Sequence, residues 1–125
     1  MIWVQVSEVE GVGLRENFER KERKEIMGLI FVSATVVAKD GMEQELEKAL
    51  KAVIPAVREE EGCLRYDLHR SEYGSVFLFY EIWESPTHLA AHGGTPHMQA
   101  MRDATADLVV GVADVNTWEE VDVVK

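Results

Sequence analysis

Cysteine is almost absent: Cys63 stands alone in 125 residues, so no disulfide can form within the chain. A single thiol suits a reducing compartment, and the cytoplasm is the expected location. Placed between a glutamate-rich helix end and a strand, Cys63 is expected to be a small buried apolar residue rather than a redox thiol. Basic residues are also few, 13 against 23 acidic ones, for a formal charge of −10 at pH 7. Binding to nucleic acid needs a basic stripe, and the one basic cluster, Arg20 to Lys24, is interleaved with Glu19, Glu22 and Glu25. Nucleic acid is therefore not an expected partner. No run approaches the ~18 apolar residues of a spanning helix, and no signal-peptide pattern opens the chain, so no membrane partner is expected either. What is present is an ordinary apolar fraction, 46%, which at this length predicts one globular domain.

Residues 1–26 differ in character from residues 27–125. Ile2 to Val6 has strand character, Gly11 and Gly13 interrupt it, and Leu14 to Ile26 is charged and weakly amphipathic. Two expectations stand: an arm that packs on a neighbouring subunit through Trp3 and Phe18, or an overlong gene start with Met27 as the initiator. From Leu29 the pattern sharpens. Leu29 to Ala38 is nearly all apolar and β-branched, as in a strand covered on both faces. Asp40, with Glu43 three places on, is a candidate helix cap. Leu46, Ala49, Leu50, Val53, Ile54 and Val57 then keep the spacing of one buried helix stripe, Pro55 should bend that helix, and Gly62 should supply a left-handed stop.

Leu64 to Ser71 reads as a more polar strand, Glu72 to Ser75 as a hairpin turn, and Val76 to Trp83 as a second apolar strand. Ser85-Pro86 and Thr95-Pro96 each open a helix, with Gly93-Gly94 between them. Met98, Met101, Thr105 and Leu108 form the last inner stripe, and Ala113 to Val123 alternates like a strand with one wet face. The order β-α-β-β-α-β predicts a ferredoxin-like α+β fold with the two apolar strands central. Helices on one face leave Leu78, Tyr80 and Ile82 uncovered on the other. A second subunit closing that face is expected, giving a homodimer.

Alternation on Val76 to Trp83 points Phe77, Phe79, Glu81 and Trp83 at the helices. Trp83 is either core filler or a flat wall for an aromatic ligand. Glu81 on that face needs a partner, and His92 or His97 would serve. His88 and His92, four apart, invite a metal reading, but no glutamate follows the first histidine and no further ligands cluster nearby, so no metal is expected. A neutral histidine is a suitable proton acceptor near physiological pH, and the sequence does not choose between His92 and His97. Arg102, at the edge of the last stripe, can neutralise an oxyanion or pair at the rim. Tyr66 is a strand phenol that either lines a pocket or packs. No nucleotide loop, nucleophile elbow or flavin fingerprint occurs.

Glu60-Glu61-Gly62-Cys63, Tyr66, Glu81 to Ser85, and His88-Leu89 followed by Ala91-His92 and Thr95-Pro96-His97-Met98 together resemble the antibiotic biosynthesis monooxygenase superfamily, nearest to its small quinol monooxygenases. The likeness runs from about Leu29 to Val121. It implies a dimeric α/β barrel and oxidation of quinol or polycyclic aromatic substrates by dioxygen, with neither metal nor flavin as cofactor. By position, Trp83 matches the pocket tryptophan of polyketide-oxidising members, and Arg102 their arginine once one residue is gapped. Their pocket asparagine falls at Phe79 and their tyrosine at Leu89, a departure in hydrogen bonding. In the haem-degrading relatives the axial histidine aligns with Arg102 and the pocket asparagine with Ala34, so haem ligation is not implied. The site expected on this basis has His92 or His97 as base, Arg102 as the electrostatic group, and Trp83, Phe77, Phe79, Glu81 and Tyr66 around the substrate. Isomerisation of a small phosphorylated signalling molecule, by a branch sharing the Thr-Pro-His block, and a non-catalytic dimeric binding module are the alternatives.

Overall fold

The computed structural model describes residues 28–125, so both expectations for residues 1–26 lie outside the described residues. Seven elements follow in order: β1 (Ile30–Val37), α1 (Glu43–Arg58), β2 (Cys63–Arg70), β3 (Val76–Trp83), α2 (Pro86–Gly93), α3 (Pro96–Thr105) and β4 (Asp114–Trp118). The strands form one antiparallel sheet ordered β2-β3-β1-β4. The apolar β1 and β3 are central and the mixed β2 and β4 lie at the edges, the ferredoxin-like α+β arrangement expected, with its second helix broken in two. No helix among the described residues is long and apolar enough to cross a membrane.

Local chemistry accounts for most of the boundaries. Ser85 and Thr95 each accept a hydrogen bond from the backbone N–H three residues on, and each is followed by proline, whose missing donor costs nothing in a first turn. The cap expected at Asp40 is not formed. Helix α1 begins at Glu43 with Met42 as an N-cap that makes no side-chain bond. Gly41, at φ +83°, turns the chain ahead of it, and Met42 N–H donates to Lys39 O at 2.9 Å. Helix α1 runs on through Pro55. Pro55 is exposed, so the carbonyl that loses its intrahelical donor faces water.

The core is a single layer between the helices and one sheet face. Leu46, Leu50, Val53 and Val57 of α1 meet Val32 of β1, Tyr66 of β2 and Phe77, Phe79 and Trp83 of β3, with Met98 of α3 completing the cluster. The outer face is set by register: Phe31, Ile82 and Trp118 lie in one row, Ser33, Tyr80 and Asn116 in the next, and Val37 beside Val76. Phe31, Leu78, Tyr80 and Ile82 are half-buried there, while Val37, Val76 and Trp118 are exposed. The expectation that β1 would be covered on both faces is thus met on one face within a single copy.

Strand β4 is shorter than the alternation from Ala113 to Val123 suggested. Val110 N–H donates to Val37 O and Lys39 N–H to Leu108 O, so the segment after α3 occupies the end of β1 first. Gly111, at φ +72°, then redirects the chain, and β4 pairs from Asp114 beside Thr35 to Trp118 beside Phe31, where β1 itself begins, so the strand stops there. All of β4 is exposed, and among the described residues no helix packs across it.

Because Leu50 is 1% exposed at the centre of the α1 stripe, Leu50→Ala is expected to cost about 2–5 kcal/mol. The exposed neighbour substitution Lys51→Ala is expected to stay within about 0.5 kcal/mol. Urea unfolding of the two variants checks the pair.

Candidate active site

Strand β3 carries the floor of the site. Its burial alternates strictly, with Phe77, Phe79, Glu81 and Trp83 buried under the helices. Tyr66 of β2 stacks on Phe79, ring centroids 4.6 Å apart. His92, the one buried residue of α2, lies over the indole of Trp83 at 4.6 Å and meets Tyr66 edge-on at 5.6 Å. The space between Trp83 and the helices is therefore filled by these side chains, and Trp83 is 0% exposed, the core position that was one of its two expected roles. A groove of 610 Å³ lies elsewhere, along α1 and the end of β2, lined by Gln44, Glu47, Lys48, Lys51, Ala52 and Arg70. It presents no aromatic surface.

Above the floor, one carboxylate gathers both candidate bases. The Nδ1 of His92 is 3.1 and 3.2 Å from the two oxygens of Glu60, and Nε2 of His97 is 2.5 Å from Oε2 of the same group. Glu60 sits in the turn after α1, where its N–H donates to Val57 O and its carbonyl accepts from Cys63 N–H. Gly62 closes that turn at φ +83°, and a Cβ there would lie 2.2 Å from the ring of His88. Only glycine meets both demands. His88 is held against Gly62 by Ser85 Oγ, 2.8 Å from its Nδ1, so it secures the turn and does not join His92.

Glu81 makes a different contact from the one expected. Its carboxylate accepts from Trp83 Nε1–H at 2.8 Å, and the histidines that were its candidate partners are hydrogen-bonded to Glu60 instead. Burial pushes Glu81 up to about 7; the indole bond opposes this and the nearby charge of Glu60 adds to it. Burial moves His92 the other way, below its ordinary value, against the pull of Glu60. Its imidazole is neutral at physiological pH, and with Nδ1–H donated to Glu60 its Nε2 keeps a free lone pair. Burial also holds the Tyr66 phenol and the half-buried Cys63 thiol protonated.

Arg102 is exposed at the rim. Its Nη2 donates to Gly93 O at 3.1 Å and to Gln99 Oε1 at 3.3 Å, capping the end of α2 rather than facing Trp83. Among the described residues, no group of three His, Cys, Asp or Glu side chains is arranged to hold a metal ion. The structure thus brings together His92, His97, Trp83, Phe79, Glu81 and Tyr66, with Phe77 farther along the same buried row. Glu60 is the functional candidate missing from the sequence-based site, although it stands in the Glu-Glu-Gly-Cys block. The signal available was a glutamate two places before a glycine required by the turn.

A family model described as "antibiotic biosynthesis monooxygenase" matches residues 29–104, well over half of the chain and all of the site. The chain belongs to the antibiotic biosynthesis monooxygenase family. One relative within reach of sequence comparison is the Mycobacterium tuberculosis protein named "Putative monooxygenase Rv0793", 30% identical over 80 residues that make up 64% of this chain and 79% of that protein. The solved structure of Rv0793 superimposes with a TM-score of 0.71 at 27% identity, covering 78% of this chain and 99% of the other. Structures from Pseudomonas aeruginosa (PA3566; 26% identity, 76% and 96% covered) and Caulobacter crescentus (28% identity, 82% and 99% covered) give the same TM-score of 0.71. Family membership accounts for the monooxygenase-type architecture; the residues at the site come from this chain.

Two stability experiments follow from the site. Between pH 4.5 and about 7 the unfolded Glu81 has lost its proton while the folded one keeps it, so its contribution to stability is present below that window and lost as pH rises through it. Glu81→Gln is expected to remove this loss, so that variant and wild type diverge in the variant's favour from pH 5 to pH 8 in urea titrations. Gly62→Ala is expected to destabilise by more than about 1 kcal/mol, from the left-handed backbone alone, with the His88 contact adding to it.

Proposed function

We propose that this protein is a cofactor-independent monooxygenase that oxidises a quinol or another electron-rich polycyclic aromatic substrate with dioxygen, working as a cytoplasmic homodimer. One observation carries the reading: a buried, neutral histidine lies over a buried tryptophan, its ring tilted by 35° to the indole, with one ring nitrogen held by a carboxylate and the other free. Triplet dioxygen reacts slowly with closed-shell organic molecules. Removing a proton from a hydroquinone makes an anion rich enough to pass one electron to dioxygen, after which the two radicals combine or separate. The protein then has to supply a base and a dry aromatic surface.

His92 is the base in this reading, because its Nε2 is the unpaired nitrogen and Trp83 lies beneath it. With Trp83 wholly covered, a substrate ring meets the indole only when the imidazole and α2 swing outward. That movement opens a slot between two aromatic planes and leaves the imidazole edge against the incoming hydroxyl. Phe79 and Tyr66 continue the apolar wall, Glu81 holds the indole by its N–H, and Arg102 stands at the rim, where it faces an anion entering from outside.

The outer sheet face supports the homodimer. At ~25 cal/mol per Å² of apolar area, covering Phe31, Leu78, Tyr80, Ile82 and Trp118 with a second copy stabilises both. Sedimentation is expected to give twice the chain mass, and Ile82→Asp to give a monomer. For the chemistry, anaerobic protein is mixed with a naphthohydroquinone and oxygen is then admitted. The expected result is oxygen uptake above autoxidation, lowered ~10²–10⁴-fold in His92→Ala. Equal uptake with and without protein rejects the oxygenase reading, and substrate conversion without oxygen points instead to an isomerase.

A further inference from the structure

A base buried under a helix has a second problem: the proton it takes must leave. Among the described residues, Glu60 is the only side chain hydrogen-bonded to the ring of His92. The same Oε2 that meets His92 Nδ1 meets His97 Nε2. Exposure rises along the three, from 7% for the His92 side chain through 11% for Glu60 to 30% for His97. Among the described residues no other route opens from His92. Glu81 on β3 is tied to the indole, Tyr66 on β2 is buried, Cys63 lies at the start of β2, and Arg102 on α3 points to Gly93.

We propose that Glu60 and His97 form a proton relay that carries the substrate's proton from buried His92 to solvent. The relay deepens the oxygenase reading and rests on it for its physiological use. The substrate hydroxyl proton binds Nε2 of His92. The Nδ1 proton of that ring passes to the Glu60 carboxylate, the resulting acid protonates His97, and the exposed edge of His97 releases a proton to water. One proton enters, one leaves, and no electron moves. His92 touches the substrate and is the catalytic residue; Glu60 and His97 act through it as positioning and transfer groups. A carboxylate that only oriented His92 would need no second imidazole on the same oxygen, nor one open to water.

The experiment uses full-length protein labelled with ¹⁵N in its histidines. In wild type, the His92 Nδ1 proton is expected to bond toward Glu60 and to exchange with water quickly despite its burial. In Glu60→Gln and His97→Gln, each checked as folded by its backbone amide spectrum, that exchange is expected to slow at least tenfold. Exchange as fast in both variants as in wild type overturns the relay, whatever the enzyme's activity. Oxygen uptake with a naphthohydroquinone is then followed at rising imidazole buffer concentration. The relay predicts that His97→Gln loses rate and regains it as external imidazole replaces the missing carrier, while wild type is insensitive to buffer. A loss that no buffer restores also overturns it. Wild-type protein with no oxygen uptake but with fast, His97-dependent exchange rejects the oxygenase reading alone.

Discussion

The period of two along β3 is the constraint on which the rest depends. Eight residues present Phe77, Phe79, Glu81 and Trp83 to the helices and Leu78, Tyr80 and Ile82 to the opposite face. A slip of one position would put a carboxylate and an indole outside and the outer row in the core. Neighbouring strands take their facing from this one: Tyr66 is paired with Glu81, Leu68 with Phe79, and Val32 with Glu81 from the other side. The site and the outer apolar face are therefore two sides of one decision.

Two carboxylates lie within this small interior, and the fold accommodates them by different means. Glu81 is satisfied by the indole N–H of its own strand, a neutral donor, which leaves it inclined to keep its proton. Glu60 has two imidazoles from two helices and a place nearer the surface. Because like charges repel strongly in a poorly solvated region, the nearby charge of Glu60 adds to burial in favouring the protonated form of Glu81. Separating such roles between neighbouring acids is how proteins obtain both donors and acceptors from one residue type.

Strand edges and helix starts were legible because their signals are local. Val76–Trp83 is bounded as the apolar run suggested, and Ser85-Pro86 and Thr95-Pro96 cap helices as read. Asp40 misled because a turn with left-handed Gly41 intervenes before the helix, and sequence spacing does not report backbone φ. The pairing of Glu60 with residues 32 and 37 positions away follows no period, so nothing along the chain announces it. The filled space over Trp83 escaped for a related reason: apolar pattern says which residues face inward, not whether their volumes leave room between them. The early end of β4 depends on where β1 starts: Trp118 pairs with Phe31, one residue into a strand that begins at Ile30, so little partner edge is left beyond it.

Trp83 and Trp118 sit on opposite sides of the same sheet, one sealed against an imidazole and the other 58% exposed beside Ser33, whose hydroxyl accepts its N–H. Indole emission shifts to shorter wavelength in dry surroundings and is quenched by contact with imidazole. Among the described residues these are two optical reporters with distinct colours, one sensing the inner layer and the other the outer; the third tryptophan of the chain is Trp3. In a Trp3→Phe background, replacing either with phenylalanine leaves a spectrum assignable to one side of the sheet, so events within the core and events at the exterior can be timed separately in a single mixing experiment.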